Sequence, residues 1–129
     1  MPSIFTRIVM GEIPCHKVAE DDRFLAFLDV NPLREGHTLV IPKMEVDKFF
    51  ELPVDVLAWI MPFAQGVARK IARVVPCDRV GVSVVGLEVP HAHVHLIPID
   101  SVHDMEFSRP KLKLTHEDLA ELAERIRNA

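Results

Sequence analysis

Hydrophobic positions recur along this chain with two different periods. Short apolar or alternating runs, separated by turn residues, predict five β-strands over residues 15–20, 23–30, 37–42, 79–85 and 91–99. A spacing of three to four residues between apolar positions predicts a long helix over about residues 53–75 and a second one after Thr115. Ser3 suits the N-cap of a shorter helix that ends near Val9.

The connections between these elements decide the fold class. Most of the strands are joined by short turns, and the helices do not alternate regularly with the strands. This order favours an α+β fold with an antiparallel sheet over repeated βαβ units. We therefore predict one domain over residues 1–129, in which about residues 110–129 form a C-terminal helical extension after a polar loop.

The long predicted helix has two unusual features. Pro62 lies inside it and should kink it or remove one of its hydrogen bonds. Its apolar stripe is also wider than one small sheet requires, with Trp59 and Phe63 beside it. Core packing explains most such residues, but a stripe of this width also fits a subunit interface.

Composition excludes several classes of function. The net charge is −4 without any long basic block, so no general nucleic-acid-binding surface is expected. Cys15 and Cys77 form no C-x-x-C pair, which argues against a zinc ribbon or a disulfide scaffold. No apolar stretch approaches 18 residues without a charge, and the first residues do not resemble a signal peptide, so no membrane partner is expected. The expected location is the cytoplasm.

The densest chemistry lies in residues 91–98, where three histidines alternate with small or aliphatic residues. Successive side chains of a strand point to opposite faces, so His91, His93 and His95 should share one face. Alternate residues of a strand lie roughly 6.6 Å apart, close enough for three imidazoles to meet one small charged group. The intervening apolar residues should face the core.

Two chemistries fit this histidine stretch. Neutral imidazoles bind zinc, although three ligands in a row on one strand are a poor match to a tetrahedral site. Alternatively, one histidine nitrogen attacks phosphorus while its neighbours neutralise charge and donate protons. His93, flanked on both sides, is then the natural nucleophile, and no metal or other cofactor is needed.

The stretch also carries a resemblance. Residues 91–97 match His-φ-His-φ-His-φ-φ, where φ is apolar, which resembles the signature of the histidine triad family. Four further segments resemble the amino-terminal half of that family in order and spacing: residues 11–14 (GEIP), 20–22 (EDD), 25–29 (LAFLD) and 36–43 (GHTLVIPK). The resemblance covers about residues 5–99.

The resemblance implies a fold and an activity. The fold is a five-stranded antiparallel sheet with two main helices, joined into a ten-stranded sheet in a homodimer. The activity is hydrolysis or transfer of purine nucleoside monophosphate groups, with cleavage at the α-phosphate of phosphoramidates, acyl-adenylates or dinucleoside polyphosphates.

Residue roles follow from the same resemblance. It makes His93 the nucleophile, places His37 beside the triad, and gives His91 and His95 the task of positioning and protonating the phosphoryl group. Asp29 corresponds to the carboxylate that binds the ribose hydroxyls. The base pocket corresponds to six apolar residues: Phe5, Ile8, Phe27, Leu28, Val30 and Leu39.

Some positions depart from the family pattern. Gly86-Leu87-Glu88 stands where many members have Gly-Gln on a longer loop, and Glu45 stands where some have a histidine. Glu88 would repel an anionic leaving group, which favours an amine. A nucleotide-binding regulatory module with little turnover is the alternative function, and a catalytic metalloenzyme is the third.

Overall fold

The computed structural model describes residues 1–129 and contains one five-stranded sheet and three α-helices. In chain order the elements are α1 (Ile4–Val9), β1 (Lys17–Glu20), β2 (Phe24–Leu28), β3 (Thr38–Pro42), α2 (Val54–Val74), β4 (Arg79–Ser83), β5 (Val94–Ile99) and α3 (His116–Arg127). The strand order is β1-β2-β3-β5-β4, and every neighbouring pair is antiparallel. The predicted α+β class with a five-stranded antiparallel sheet is confirmed.

One face of the sheet holds the main core. Helix α2 packs on it through Val56, Ile60, Ala64, Val67 and Ile71, which are all buried. The helix continues through Pro62, which lies on its exposed side, where the carbonyl group that loses its partner can face water. Helix α3 adds four buried residues to the same core: Leu119, Leu122, Ala123 and Ile126.

The other face of the sheet carries a smaller apolar cluster. It consists of Phe5 from α1 and Leu25, Phe27, Leu39 and Ile41 from the two central strands β2 and β3. Alternation along β2 sends Leu25 and Phe27 to this face and their neighbours to the main core. This face, covered in part by the short helix α1, is where His37, His91, His93 and His95 gather.

The histidine strand begins later than predicted. The sequence predicted a strand over residues 91–99, whereas β5 starts at Val94. The reason is pairing: β4 ends opposite His95, and the amide of Ala92 donates to the carbonyl oxygen of Val46 at 2.7 Å instead of joining the ladder. Alternation still holds, because Ala92, Val94 and Leu96 all lie in the main core.

The outer edge of the sheet is open at β4. This strand pairs on one side only, with β5, and Val82 is 50% exposed. Trp59 on α2 is 59% exposed. An open edge and exposed apolar side chains agree with a joint between two sheets, but the homodimer stays a prediction. None of the helices is both long and apolar enough to span a membrane.

Candidate active site

His93 has one ring nitrogen committed to the backbone and one that is free. Its Nδ1 lies 2.7 Å from the carbonyl oxygen of His91. A carbonyl oxygen can only accept, so Nδ1 carries the proton and donates it, and Nε2 keeps its lone pair in the neutral ring. Nε2 makes no hydrogen bond with the protein, and the ring lines a cavity. The backbone therefore leaves His93 with an available nucleophilic nitrogen.

The protonation of His95 is set through His37. The amide of Leu33 donates to Nδ1 of His37 at 3.0 Å, so the proton of neutral His37 resides on Nε2. That Nε2 lies 3.0 Å from Nδ1 of His95 and donates to it. The proton of neutral His95 is therefore on its own Nε2, which makes no further bond with the protein. His95 presents a hydrogen-bond donor beside the nucleophile.

Burial keeps this pair neutral. It lowers the pKa of His37 to about 3, helped by His95 and by the Lys111 ammonium. It lowers the pKa of His95 to about 4, helped by His93 and Lys111. Both rings are thus uncharged at neutral pH. The two hydrogen bonds from Leu33 to His37 and from His37 to His95 require the same, because each Nδ1 must accept.

A tight turn aims the Leu33 amide at His37. Gly36 has φ +94°, a conformation that other residues rarely adopt, and a side chain there would come within 3.0 Å of Val75. The turn closes with a bond from the His37 amide to the carbonyl of Arg34. The sequence between β2 and β3 thus serves to orient one ring.

His91 is bonded at both ring nitrogens. Nε2 lies 2.8 Å from the carbonyl oxygen of Pro42, and Nδ1 lies 2.8 Å from Oγ of Ser3. The carbonyl requires a proton on Nε2, so Nδ1 accepts from the serine hydroxyl. His91 is fully buried, and burial lowers its pKa. These contacts favour a positioning role, and proton transfer by His91 stays a prediction.

His93 and His95 open onto a cavity of about 480 Å³. Its lining is largely apolar, with Asp29 as a carboxylate on the wall. One oxygen of Asp29 accepts from the amide of Asn31 at 2.9 Å, while burial raises the pKa of its carboxyl group. The other oxygen is 3.6 Å from Nε2 of neutral His37, so the two do not form an ion pair.

The same corner contains the ligand atoms that could hold a cation. One atom each from Asp29, His37 and His95 lies within 4.8 Å of the others. The hydrogen bond between His37 and His95 already explains why these two rings lie close together. A metal ion bound between them would have to displace the proton on Nε2 of His37. The two rings therefore act here as hydrogen-bonding groups.

Comparison with known proteins agrees with this geometry. The HIT domain matches residues 10–102. The chain belongs to the histidine triad (HIT) family. A HIT-like protein from Methanocaldococcus jannaschii is 41% identical over 74% of this chain and 77% of its own length. An adenosine 5′-monophosphoramidase from Schizosaccharomyces pombe is 33% identical over 98% of this chain and 96% of its own.

A solved structure extends the similarity to the whole fold. It is a Hit-like protein involved in cell-cycle regulation from Bartonella henselae, with a TM-score of 0.84 and 30% identity. The alignment covers 98% of this chain and 94% of that protein. The family predicted from the histidine stretch is confirmed, and the alignment with this one structure extends over nearly the whole chain.

The predicted site residues of this HIT protein converge to different degrees. Ten of the twelve line the cavity described above: Phe5, Ile8, Phe27, Leu28, Asp29, Val30, Leu39, Glu88, His93 and His95. His37 and His91 lie behind it, each bonded to a residue of the triad segment. The roles of all twelve residues stay predictions.

Sequence reasoning missed the C-terminal wall of the cavity. The ring of Phe107 meets His95 edge-on, with the centroids 4.8 Å apart, and lines the cavity. Lys111 holds its ammonium group near the same ring, 5.9 Å from its centroid. A single aromatic residue within a polar loop was the only signal for this wall in the sequence.

The neutral histidine pair predicts an acid-sensitive fold. In the unfolded chain both histidines gain a proton near their ordinary pKa, about 6.5, but the folded pKa values are about 3 and about 4. Between these limits the unfolded state binds more protons, so stability is complete above the unfolded pKa and falls as the pH falls. Each residue should contribute a loss of about 1.4 kcal/mol per pH unit.

Urea unfolding at pH 7.5, 6.0 and 5.0 measures this slope. His37→Asn keeps an acceptor for the Leu33 amide but cannot titrate, so its slope should be shallower by about one proton, or about 1.4 kcal/mol per pH unit. His103→Asn, at an exposed position, is the control and should keep the wild-type slope. Equal slopes for wild type and His37→Asn would show that His37 does not remain neutral in the fold.

Proposed function

We propose that this protein hydrolyses or transfers nucleoside monophosphate groups by cleaving at the α-phosphate through a covalent nucleotidyl-His93 intermediate. The observation that carries the proposal is the tautomer of His93: Nδ1–H is tied to a backbone carbonyl, and the lone pair of Nε2 opens onto the cavity. A histidine held in this way is ready to attack phosphorus without prior loss of a proton.

The reaction divides into two displacements. In the first, Nε2 of His93 bonds to the α-phosphorus, and the bond to the leaving group breaks with its electrons on the leaving atom, which takes up a proton from water. In the second, water attacks phosphorus and releases one proton to the solvent, the bond to His93 breaks with its electrons on Nε2, and the nucleoside monophosphate leaves. Nε2–H of His95 can donate to a non-bridging oxygen in both transition states.

The cavity supports a nucleotide as the substrate. Its apolar wall, which includes Phe5, Phe27 and Leu39, suits the faces of a purine base. Asp29 offers one oxygen that no protein donor occupies, and a carboxylate can accept bonds from two neighbouring hydroxyls. We therefore assign Asp29 to the ribose. The relative from Schizosaccharomyces pombe is named for an adenosine 5′-monophosphoramidase activity, which supports a nucleotide as the substrate.

The charge at the mouth of the cavity favours an amine as the leaving group. Glu88 is exposed and lines the cavity next to Leu87. Its negative charge also contributes to the raised pKa of Asp29, after burial. An anionic polyphosphate leaving through this mouth would approach Glu88, whereas an amine would not be repelled.

Turnover by the wild-type protein tests the proposal. An adenosine 5′-phosphoramidate and a dinucleoside polyphosphate are incubated separately, quenched early, and analysed for released nucleotide and intact protein mass. We expect AMP, a mass increase of one adenylyl group, and faster cleavage of the phosphoramidate. A matched 2′,3′-dideoxy phosphoramidate should be a poorer substrate, because it lacks the hydroxyls that Asp29 would accept.

The contrary outcome is equally clear. Bound nucleotide without product or adduct would overturn the proposal and favour a nucleotide-binding regulatory module, for which the altered residues Leu87 and Glu88 would be the reason. Light scattering on the native protein, before any quench, tests the predicted homodimer.

A further inference from the structure

A second hydrogen-bond network lies behind the triad and reaches its first histidine. Oε1 of Glu45 accepts from the amide of Ser3 at 2.7 Å and from the hydroxyl of Thr6 at 2.6 Å. Oγ of Ser3 accepts from the amide of Thr6 at 3.0 Å and lies 2.8 Å from Nδ1 of His91. Glu45 follows β3, so the network joins three separate parts of the chain.

Every bond in this network has a fixed direction. A carboxylate only accepts, so the hydroxyl proton of Thr6 is committed to Glu45 and is withheld from His91, 3.4 Å away. The hydroxyl proton of Ser3 has two acceptors in reach, Nδ1 of His91 at 2.8 Å and Oγ1 of Thr6 at 3.3 Å, and the shorter contact assigns it to His91. The same two donors hold the pKa of Glu45 below its usual value, first the Ser3 amide and then the Thr6 hydroxyl. The carboxylate is therefore ionised at neutral pH.

The network acts on the nucleophile through one carbonyl group. His91 is held from both sides, by Ser3 and by Pro42, and its own carbonyl oxygen fixes Nδ1–H of His93. Ser3 is also the N-cap of α1, whose Phe5 meets the ring of His93 edge-on at 5.1 Å between centroids. A displacement of Ser3 would therefore move both the support of His93 and the wall beside it.

We propose that Glu45 is a positioning residue, which acts through Ser3 and Thr6 to hold the ring of His91 in place and thereby fixes the attack geometry of His93. The effect of Glu45 on catalysis rests on the proposed function, whereas its effect on the placement of the His91 ring does not. Glu45 itself is exposed and lies outside the cavity. Its loss should therefore affect turnover more than substrate binding or folding.

The decisive comparison is between Glu45→Ala and Glu45→Gln. Glutamine keeps an acceptor oxygen for both donors, so kcat should stay within about threefold of wild type, whereas alanine should lower kcat about 10- to 100-fold. KM for the adenosine phosphoramidate should change less than about threefold in both variants. Glu12→Ala is the matched control, because Glu12 follows the same helix, is exposed and forms no side-chain hydrogen bond.

A spectroscopic measurement gives a readout that is independent of turnover. The ¹⁵N chemical shifts of the His91 ring should show Nδ1 as a hydrogen-bonded acceptor in wild type and Glu45→Gln, and as an acceptor with a weakened hydrogen bond in Glu45→Ala, with the proton on Nε2 in all three. Ser3→Ala, which removes the donor itself, should resemble Glu45→Ala, and the double variant should lose little more than either single variant.

The outcomes separate this inference from the proposed function. Wild-type kcat and ring signals in Glu45→Ala would overturn the positioning role, and so would equal losses in the alanine and glutamine variants. A lower thermal stability with unchanged kcat would reduce Glu45 to a purely structural contact. If the wild-type protein cleaves no phosphoramidate, the proposed function fails, while the ring signals still decide whether Glu45 holds the ring of His91 in place.

Discussion

His93→Ala should lower turnover by at least about three orders of magnitude, the scale on which covalent enzymes respond to loss of their nucleophile. The expected size follows from geometry, since Nε2 of His93 is the only ring nitrogen of the triad with a free lone pair facing the cavity. Single-turnover rates and intact mass measure the effect. The adenylyl adduct seen with wild type should be absent from the variant.

Binding should survive this substitution. The apolar wall and Asp29 are untouched, so calorimetry should give an AMP affinity within about threefold of wild type. His103→Ala, which removes an exposed histidine that is not part of the cavity lining, serves as the control for both assays. Retained turnover or a retained adduct in His93→Ala would remove His93 as the nucleophile.

His95→Asn should lower kcat about 10²- to 10³-fold, the usual consequence of removing a donor aimed at the charge that develops in a transition state. The side-chain oxygen of asparagine can replace Nδ1 and accept from His37, but nothing replaces Nε2–H. His95→Gln should do the opposite. The N–H of its longer side-chain amide can replace Nε2–H in the cavity, but Nε2–H of His37 then lacks an acceptor. The glutamine variant should therefore be the more active of the two.

Stability should follow the opposite order. A buried donor without a partner costs about 1–3 kcal/mol, so the glutamine variant should unfold more easily than the asparagine variant. Urea unfolding and steady-state rates on the same preparations test both orders. A more active asparagine variant would show that His95 contributes through its bond to His37 rather than through a donor in the cavity.

The fold could be predicted from the sequence largely because two patterns of apolar residues are clear, the alternation of strands and the three-to-four-residue spacing of helices. Apolar spacing located α2 and α3, and alternation along the histidine stretch correctly sent its apolar residues to the core. The start of β5 was wrong, because residues 91–93 have the alternation of a strand but no partner strand. Alternation reports which face a side chain takes, whereas strand assignment depends on hydrogen bonds to distant residues such as Val46.

The site was predictable where side chains carry the pattern and hidden where distant contacts do. The three histidines could be recognised from their residue type and spacing, and Asp29 from its place in a segment that resembles the family. Phe107 lines the cavity, and Lys111 lies near its ring. Both belong to the loop between β5 and α3, where the sequence shows no helix or strand period. Glu45 could be noticed as a departure from the family pattern, but its bonds to Ser3 and Thr6 span about 40 residues and required the structure.

The groups that set the protonation of the three rings have one property in common. They are the amide of Leu33 and the carbonyls of Pro42 and His91, all of them main-chain atoms. Substitution of the side chains of Leu33 or Pro42 would leave those carbonyl and amide groups in the chain, except that proline at position 33 would delete the donor. An alignment scored by residue identity would thus give these positions little weight. A designer who transplants the histidines to another scaffold would have to copy the path of the main chain around them, because the protons follow that path.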